Sequence, residues 1–532
     1  MFSIATYFSV EALLLLLVTV ALYVCLPQRV RRYVLLLSSY VFFFSISGKL
    51  LVFLLFSTLS VHHIGLWLSD VQNECNIRTK GLEREERKAL NAEYNKKQRK
   101  IMAFACILHI GALLVLKYTP FFGENINALL ELVGLSFRVK IPRFLIPIGI
   151  SFYTLQAVAY LFDVYRKKIP ADRNLLRLAL FMSFFPQIME GPICRYSDTA
   201  ELLYEAPRMR YDNFVLGSQR ILFGLMKKLV IADRLNLLIQ NVYGEPNKYD
   251  GFVIALGAVG YTFQLYADFS GTMDLVIGAA QMFGIKLPEN FKRPFFSATI
   301  SEFWKRWHIT LGTWFKDYIF FPVSMSKPMK KLTTKARKKL GNHYGPLIAG
   351  AVSLFCVWIC NGLWHGAGWN YIFFGMYHFV LILSGNIIEP AVIKITQKLK
   401  INRSAFPYRC VQIVRTFILV CFGELFFRAE TLGIGLKMFG KIFTEFTFKT
   451  LKDGSLFELG MDRQDYLIII VCAVLLFIIG ILQEKGIEIR ASIAKRNTAV
   501  QFAVYYALIL FIVIFGAYGV GYVPLDPIYA GF

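Results

Sequence analysis

Two of the seven histidines in this sequence stand in stretches that are dense in aromatic and polar residues. One is His365, within NGLWHGAGW, where nearby glycines let a backbone or a ligand come close. A neutral imidazole in apolar surroundings can take a proton from a hydroxyl, which is the work of a general base. Asn361 and Trp364 in the same stretch are candidate substrate contacts. On the residues alone, a packed core histidine is an equal alternative for His365.

The second histidine is His308, within SEFWKRWHITLGTWFKDY. This stretch is too polar for a plain lipid-facing span, and it predicts a re-entrant or interfacial segment beside a hydrated cavity. Arg306 could hold a phosphate or a carboxylate there, and Trp304 is a candidate donor contact. An interfacial helix with snorkelling cations remains an alternative.

Several familiar enzyme classes are excluded because their motifs are missing. The chain has no GxSxG, HExxH or GxxxxGK[ST], and the DFSG that begins at Asp268 lacks a kinase context. The nine cysteines are scattered without a CxxC pair, so we predict no metal site. The remaining histidines are interpreted as structural: His62, His63, His109, His343 and His378.

Composition shows what kind of protein must position these residues. The 532 residues are 56% hydrophobic and only 18% charged, with 59 Lys and Arg against 35 Asp and Glu and a net charge of +24. Mean hydropathy is +0.51, far above that of a soluble globular chain. The basic residues form short clusters between apolar runs, which indicates membrane topology rather than nucleic-acid binding. The sequence therefore predicts an integral membrane protein.

Apolar runs predict an all-α, polytopic fold with about eleven or more transmembrane helices plus re-entrant segments. Some runs, above all 174–190, are candidates for segments that do not cross. The runs lie at 9–26, 33–47, 50–69, 101–117, 144–165, 174–190, 212–243, 251–284, 345–363, 369–388, 409–427, 466–483 and 499–521.

Basic loops predict the orientation, because Lys and Arg near span ends stay on the cytoplasmic side. Both termini are then extracytoplasmic. The 70–100 segment becomes a charged cytoplasmic helix, and the basic run 327–339 faces the cytoplasm, where anionic lipid or an acidic carrier could bind it. His365 is placed at the apex of a helical hairpin, about 28 Å of helix away from the inner loop.

Several blocks of sequence together resemble the membrane-bound O-acyltransferase (MBOAT) family. They cover roughly residues 140–430, and we treat 1–532 as a single membrane domain. FKDYIFFPV, which begins at Phe315, favours the bacterial polysaccharide branch, the membrane subunits of alginate and peptidoglycan O-acetylation, over teichoic acid D-alanyl transfer. The other blocks are FFPQIMEGPICRY, GLMKKLVIADR, QLYADFSGTMDLVIGAAQMFGIKLPENFKRPF, SEFWKRWH, NGLWHG and LFFRAE.

The resemblance implies roles for the two histidines. His365 would be the catalytic histidine and His308 the second family position, both lining a central tunnel from a cytoplasmic acyl-thioester donor to an outer funnel. Acetyl-CoA is the default donor of this branch, and no tightly bound cofactor is expected. Asp268 is a tentative substrate contact. The implied function is O-acylation of a cell-surface or secreted polysaccharide at the bacterial cytoplasmic membrane.

The tail 522–532 contains PLDPIYAGF, which resembles the FxYxxF acyl-relay motif of this branch. Tyr529 would be the acyl-accepting tyrosine, although Pro527 stands where the first Phe is expected. A phenol has a pKa of about 10, so its ester keeps much of the transfer potential of a thioester. The acyl group would then pass to a separate extracytoplasmic SGNH-hydrolase-like transferase. An aromatic tail lying at the membrane surface is the alternative.

Two readings without acyl transfer stay open. Buried polar residues also serve transporters, so the chain could move a glycan or a lipid-linked intermediate. A passive scaffold for cell-wall assembly is the third possibility. Replacement of His365 separates them: export falls for a transporter, the polymer goes undecorated for an acyltransferase, and a scaffold is little affected.

Overall fold

A computed structural model describes residues 6–518, 521 and 522. Within these residues the regular structure is helical, without strands. They divide into two compact units. The first contains residues 6–218 and 276–288, and the second contains 219–275, 289–518, 521 and 522.

The α-helices are numbered along the chain. Up to residue 282 they are α1 Val10–Cys25, α2 Gln28–Ser47, α3 Leu51–Arg78, α4 Arg84–Leu132, α5 Ile150–Tyr165, α6 Leu175–Ser183, α7 Tyr196–Glu205, α8 Tyr211–Leu225, α9 Asp233–Gly244 and α10 Gly251–Met282. The later ones are α11 Ile300–Arg306, α12 Ile309–Phe315, α13 Phe321–Ser324, α14 Lys327–His365, α15 Trp369–Lys398, α16 Phe406–Arg428, α17 Leu432–Thr444, α18 Lys449–Lys452, α19 Arg463–Glu484, α20 Ile489–Ala494 and α21 Thr498–Phe515. Two π-helical turns, Met226–Ala232 and Lys316–Phe320, interrupt the series.

Eight helical stretches in the described residues are long and apolar enough to cross a membrane. The polytopic all-α fold is thereby confirmed, but the predicted number of eleven or more is not. Part of the shortfall is length, since α1 and α5 have only 16 residues each. The eight stretches are Gln28–Arg78, Arg84–Leu132, Gly251–Met282, Lys327–His365, Trp369–Lys398, Phe406–Arg428, Arg463–Glu484 and Thr498–Phe515.

The run 174–190 does not form a long helix. Its helix α6 ends at Ser183 after nine residues, three positions before Pro186, whose ring and missing N–H oppose helix continuation. The buried chain that follows is held by side chains of the first unit. The Tyr7 hydroxyl donates to the Phe185 carbonyl (3.1 Å), and the Ser39 hydroxyl accepts from the Phe185 N–H (3.0 Å).

The charged 70–100 segment is divided between two helices rather than forming one. Helix α3 ends at Arg78 and α4 begins at Arg84, with Gly81 at φ 80° in the turn between them. Ion pairs one helical turn apart occur on each side of the turn, for example Arg78 with Glu74 at 2.8 Å. The charged residues of this segment therefore lie at the end of α3 and at the start of α4.

The second unit contains buried ion pairs between the first π-helical turn and α10. Lys228 Nζ lies 2.8 Å from a carboxylate oxygen of Asp268 and 3.1 Å from one of Asp233. The preceding Lys227 lies 2.5 Å from Asp274. A π-helical turn inserts one extra residue, so consecutive lysines can both face α10 carboxylates. Buried charges are tolerated in apolar surroundings only when they are paired in this way.

The hairpin of α14 and α15 packs closely through glycines. A Cβ atom on Gly362 would lie 2.5 Å from the Tyr371 carbonyl oxygen, and one on Gly375 would lie 2.3 Å from the Trp358 carbonyl oxygen. Both distances are too short for any side chain, so only glycine lets the two backbones meet here. This contact fixes the position of the last turn of α14.

A Gly375→Ala substitution should therefore separate the hairpin. We expect destabilisation of about 1–3 kcal/mol from overpacking, together with a lower transfer rate as the end of α14 shifts. Gly385→Ala is the matched control, because Gly385 lies on the same helix with open space around it. There alanine should be neutral or stabilise by up to about 1 kcal/mol. Unfolding midpoints of the two purified variants in detergent test this, and equal midpoints would contradict the packing argument.

Candidate active site

His365 is the last residue of α14 and sits at the tip of the α14–α15 hairpin, so the predicted hairpin is confirmed. Its side chain is buried, with 4% exposure, and does not face the lipid. Aromatic rings surround the imidazole. Ring centroids lie 5.0 Å away for Trp364, 5.1 Å for Phe427 and 5.9 Å for Phe374, all in edge-to-face contact. These three side chains form an aromatic cage around the ring.

Trp364 connects the two histidines that the sequence singled out. The centroid of its indole lies 5.7 Å from the imidazole of His308 and 5.0 Å from that of His365. The two imidazoles therefore flank one tryptophan, although 56 residues separate them in sequence. Asn361 lies one turn before His365, on the same side of α14, and is buried.

His308 lies between two short helices, α11 and α12, of seven residues each. Neither helix is long enough to cross a membrane. The backbone of His308 is left-handed, with φ 45° and ψ 52°, a conformation that costs energy for any residue with a Cβ. Its imidazole is buried against Phe269 of α10, with ring centroids 4.8 Å apart. Burial lowers the pKa of this imidazole below its ordinary value, which favours the neutral ring.

Asn290 holds the chain immediately after His308. The backbone carbonyl of Asn290 accepts from the N–H of Ile309 (3.0 Å), and its side-chain oxygen accepts from the N–H of Thr310 (3.0 Å). The same side-chain oxygen lies 3.2 Å from Nδ1 of His308. Asn290 is completely buried. One residue thus supports both the strained backbone and the ring of His308.

Trp304 is hydrogen-bonded to a histidine that the sequence analysis set aside. Its indole N–H donates to Nδ1 of His378 (3.2 Å), and the two rings are 4.9 Å apart. Phe374 packs against both His378 and His365. The tentative donor contact Trp304 therefore belongs to the aromatic packing beside the His365 cage.

Arg306, proposed above as an anion holder, has anionic partners within the chain. It lies 2.7 Å from a carboxylate oxygen of Glu302 and 2.6 Å from one of Glu484, and it also donates to the carbonyl of Arg293 (3.3 Å). Two carboxylates compensate the charge of this guanidinium. The structure gives Arg306 a role in joining α11 to α19.

Two predicted site residues remain, Asp268 and Tyr529, and the structure describes only the first of them. Asp268 directly precedes Phe269, which packs on His308, while its carboxylate is paired with Lys228. Tyr529 lies outside the described residues. The tunnel that the resemblance implies stays a prediction.

Sequence reasoning missed Asn290 and His378. Asn290 lies in the block PENFKRPF beside the exposed Glu289 and Lys292, and nothing in this charged stretch marks it as a buried residue. His378 stands in the apolar run of α15 without polar neighbours, so only its distance to Trp304 reveals its place.

Known proteins are similar to this chain over most of its length. The model of the membrane-bound O-acyltransferase family matches residues 165–336. A probable alginate O-acetylase of Pseudomonas syringae pv. tomato is 33% identical over 423 residues, covering 80% of this chain and 72% of the relative. The peptidoglycan O-acetyltransferase of Helicobacter pylori is 30% identical over 370 residues, covering 65% and 64%. The teichoic acid D-alanyltransferase of Bacillus subtilis is 33% identical over 287 residues, covering 53% and 69%.

The level of identity and the coverage of the alginate O-acetylase are sufficient to assign the family, and the eight apolar helical stretches agree with it. The chain therefore belongs to the membrane-bound O-acyltransferase family and is a multi-pass membrane O-acyltransferase.

Proposed function

We propose that this enzyme moves an acyl group, acetyl in the simplest case, from a cytoplasmic thioester donor across the bacterial cytoplasmic membrane for O-acylation of a cell-surface or secreted polysaccharide. The observation that carries the proposal is the pair of buried imidazoles, His365 and His308, on either side of Trp364. The similarity to relatives named for alginate and peptidoglycan O-acetylation supports the choice of acceptor.

In the proposed step, His365 removes the proton of an attacking hydroxyl as its oxygen adds to the thioester carbonyl. The carbon–sulfur bond then breaks, an oxygen ester forms, and the thiolate leaves with the proton from His365 as a free thiol. His308 or nearby dipoles stabilise the oxyanion between these events. Acetyl-CoA, or another acyl thioester, is the donor substrate in this scheme.

The attacking hydroxyl in our proposal is that of Tyr529. The base of the tail that carries it is anchored, since the Tyr522 hydroxyl donates to Asp465 (2.9 Å) and accepts from Arg234 (3.0 Å). Tyr529 is seven positions after Tyr522, enough for a reach of about 23–25 Å when the chain is extended. The aryl ester on Tyr529 then passes its acyl group to a serine of an SGNH-hydrolase-like partner outside the membrane, and the phenol is regenerated.

The relay predicts an acyl adduct on Tyr529 in active membranes. Mass spectrometry of the C-terminal peptide should show the added acyl mass on the wild type and not on Tyr529→Phe, which should also leave the polymer unacylated. Tyr522→Phe is the matched control, because it weakens the anchor but keeps the acceptor phenol. An unmodified wild-type peptide under trapping conditions, or normal polymer acylation by Tyr529→Phe, would argue against the relay and leave His365 untouched.

A second candidate is D-alanyl transfer to teichoic acid, which the similarity to the Bacillus subtilis relative supports. The two candidates differ in the acyl group. Mild alkaline hydrolysis of purified surface polymer from cells with and without the protein releases the ester-linked group for identification. We expect acetate that depends on the protein. Release of D-alanine instead would favour the second candidate.

A further inference from the structure

The orientation of the Asn290 carboxamide is determined by its neighbours. Both the backbone N–H and the side-chain hydroxyl of Thr310 approach Oδ1 of Asn290 at 3.0 Å. Because a backbone N–H can only donate, the atom that faces it must be the amide oxygen. The amide nitrogen then points toward the sulfur of Met273, 3.3 Å away, which is a weak acceptor.

This orientation decides which nitrogen of His308 carries the proton. Nδ1 of His308 lies 3.2 Å from the same amide oxygen. Two acceptors do not form a hydrogen bond, so Nδ1 must be protonated and donate to Asn290. A neutral imidazole has a single N–H, and its other nitrogen, Nε2, is then a hydrogen-bond acceptor.

The neutral state of His308 is consistent with its surroundings. Burial disfavours the charged ring, and His365 lies across Trp364 rather than against it. Three ionisable side chains on the neighbouring segments are engaged in ion pairs: Asp268 with Lys228, Glu289 with Arg220, and Arg306 with Glu302.

We propose that Asn290 is a positioning residue that fixes His308 in its Nδ1-protonated tautomer, so that Nε2 is a hydrogen-bond acceptor and cannot donate a hydrogen bond to the oxyanion. This assignment rests on the proposed function and deepens it. Of the two roles open to His308, a neutral ring held in this way can serve only as an acceptor. Stabilisation of the oxyanion is then left to other dipoles.

The backbone supports the same assignment. His308 has a left-handed backbone, which an imidazole side chain tolerates only when the surrounding structure enforces it. Asn290 holds this backbone with two hydrogen bonds. Its backbone carbonyl accepts from the N–H of Ile309, and its side-chain amide oxygen accepts from the N–H of Thr310. Ring position and tautomer are thus determined by one buried residue.

The first test reads the tautomer directly. In protein labelled with 15N-histidine and reconstituted in nanodiscs, the His308 signals are those that disappear in His308→Gln. We expect a protonated Nδ1 and a bare Nε2 in the wild type. A protonated Nε2 with a bare Nδ1 would overturn the proposal. This measurement needs no turnover, so it decides the tautomer even if the proposed reaction is wrong.

The second test uses the pH dependence of transfer. Asn290→Asp keeps the acceptor oxygen but adds a negative charge that stabilises the His308 imidazolium, so the acid limb of kcat/KM should move upward by about 1–3 pH units. Asn290→Leu removes the acceptor, and its kcat should fall about 10- to 100-fold. Asn290→Asp should recover much of that loss at alkaline pH.

Thr310→Val is the matched control for these variants. It removes the hydroxyl donor to the same amide oxygen and keeps the backbone donor, so the acid limb should stay where it is in the wild type. An unmoved acid limb in Asn290→Asp would overturn the positioning role. If wild-type protein fails to transfer an acyl group at all, the proposed function is wrong, while the labelled-histidine spectrum still decides the tautomer.

Discussion

Replacing His365 with glutamine is expected to reduce acyl transfer by at least about 10²–10⁴-fold while the protein stays folded. General-base catalysis by a positioned side chain contributes about that factor, and glutamine cannot accept the proton of an attacking hydroxyl. Glutamine is similar in size to histidine, so we expect it to fit inside the aromatic cage around His365. Release of free thiol from acetyl-CoA by purified protein in proteoliposomes measures the effect.

His378 provides the matched control for this variant. It is as deeply buried as His365, lies on the partner helix of the same hairpin and is hydrogen-bonded to Trp304. His378→Gln should lower the unfolding midpoint without a comparable fall in kcat, because its imidazole packs beside the cage rather than beside Trp364. Equal losses of kcat in the two variants at equal folded fraction would assign His365 a packing role.

Removing the cation of Lys228 is expected to destabilise the second unit by about 3–5 kcal/mol. Lys228 lies between the carboxylates of Asp268 and Asp233, and all three side chains are buried. In Lys228→Met both buried carboxylates lose this cation, and removing one partner is the costly way to break a buried ion pair. Chemical unfolding in detergent, followed by intrinsic fluorescence, measures the loss.

If the loss of stability comes from uncompensated charge, removing the two carboxylate charges as well should restore it. Lys228→Met combined with Asp233→Asn and Asp268→Asn removes all three charges and should recover most of the stability, since apolar replacement of a buried pair is often neutral. Lys248→Met is the surface control, because its pair with Glu245 is exposed, and no measurable change is expected. Failure of the triple variant to recover would show that Lys228 contributes through packing and not through charge.

The hairpin that carries His365 could be predicted from sequence because its signals are local. Apolar runs on both sides of NGLWHGAGW and basic loops beyond them determine a helix, a turn and a return. The surroundings of His308 could not be predicted in this way. Its tautomer depends on Asn290, which is 18 residues earlier in an irregular segment, and no helical or strand period relates the two.

An ion pair between residues far apart in sequence engages the candidate site residue Arg306. Arg306 was predicted to hold an anion because its own stretch is polar. Its partner Glu484 stands 178 residues further along the chain, at the end of α19, and sequence proximity gives no hint of that pair. A buried cation in a membrane protein is therefore a site candidate only until its partner is known.

Some of the apolar runs do not form long helices, for a related reason. Hydropathy does not distinguish a helix that faces lipid from a short helix packed inside the protein. Helix α5 is almost entirely buried, and so are the last six residues of α6, yet the two helices have only 16 and nine residues. Their apolar side chains pack against other parts of the protein instead of the hydrocarbon core of the membrane. A helix needs about 20 residues to cross that core.

The central claim is that this protein decorates a polymer and that His365 is required for it. We would purify the surface polysaccharide from cells that lack the protein and from the same cells supplied with wild type or His365→Gln, then measure polymer yield and ester-linked acyl content. Equal polymer yields, with ester present only in the wild-type cells, are the predicted result. Equal ester content in all three, or a fall in polymer export with His365→Gln, would contradict the account.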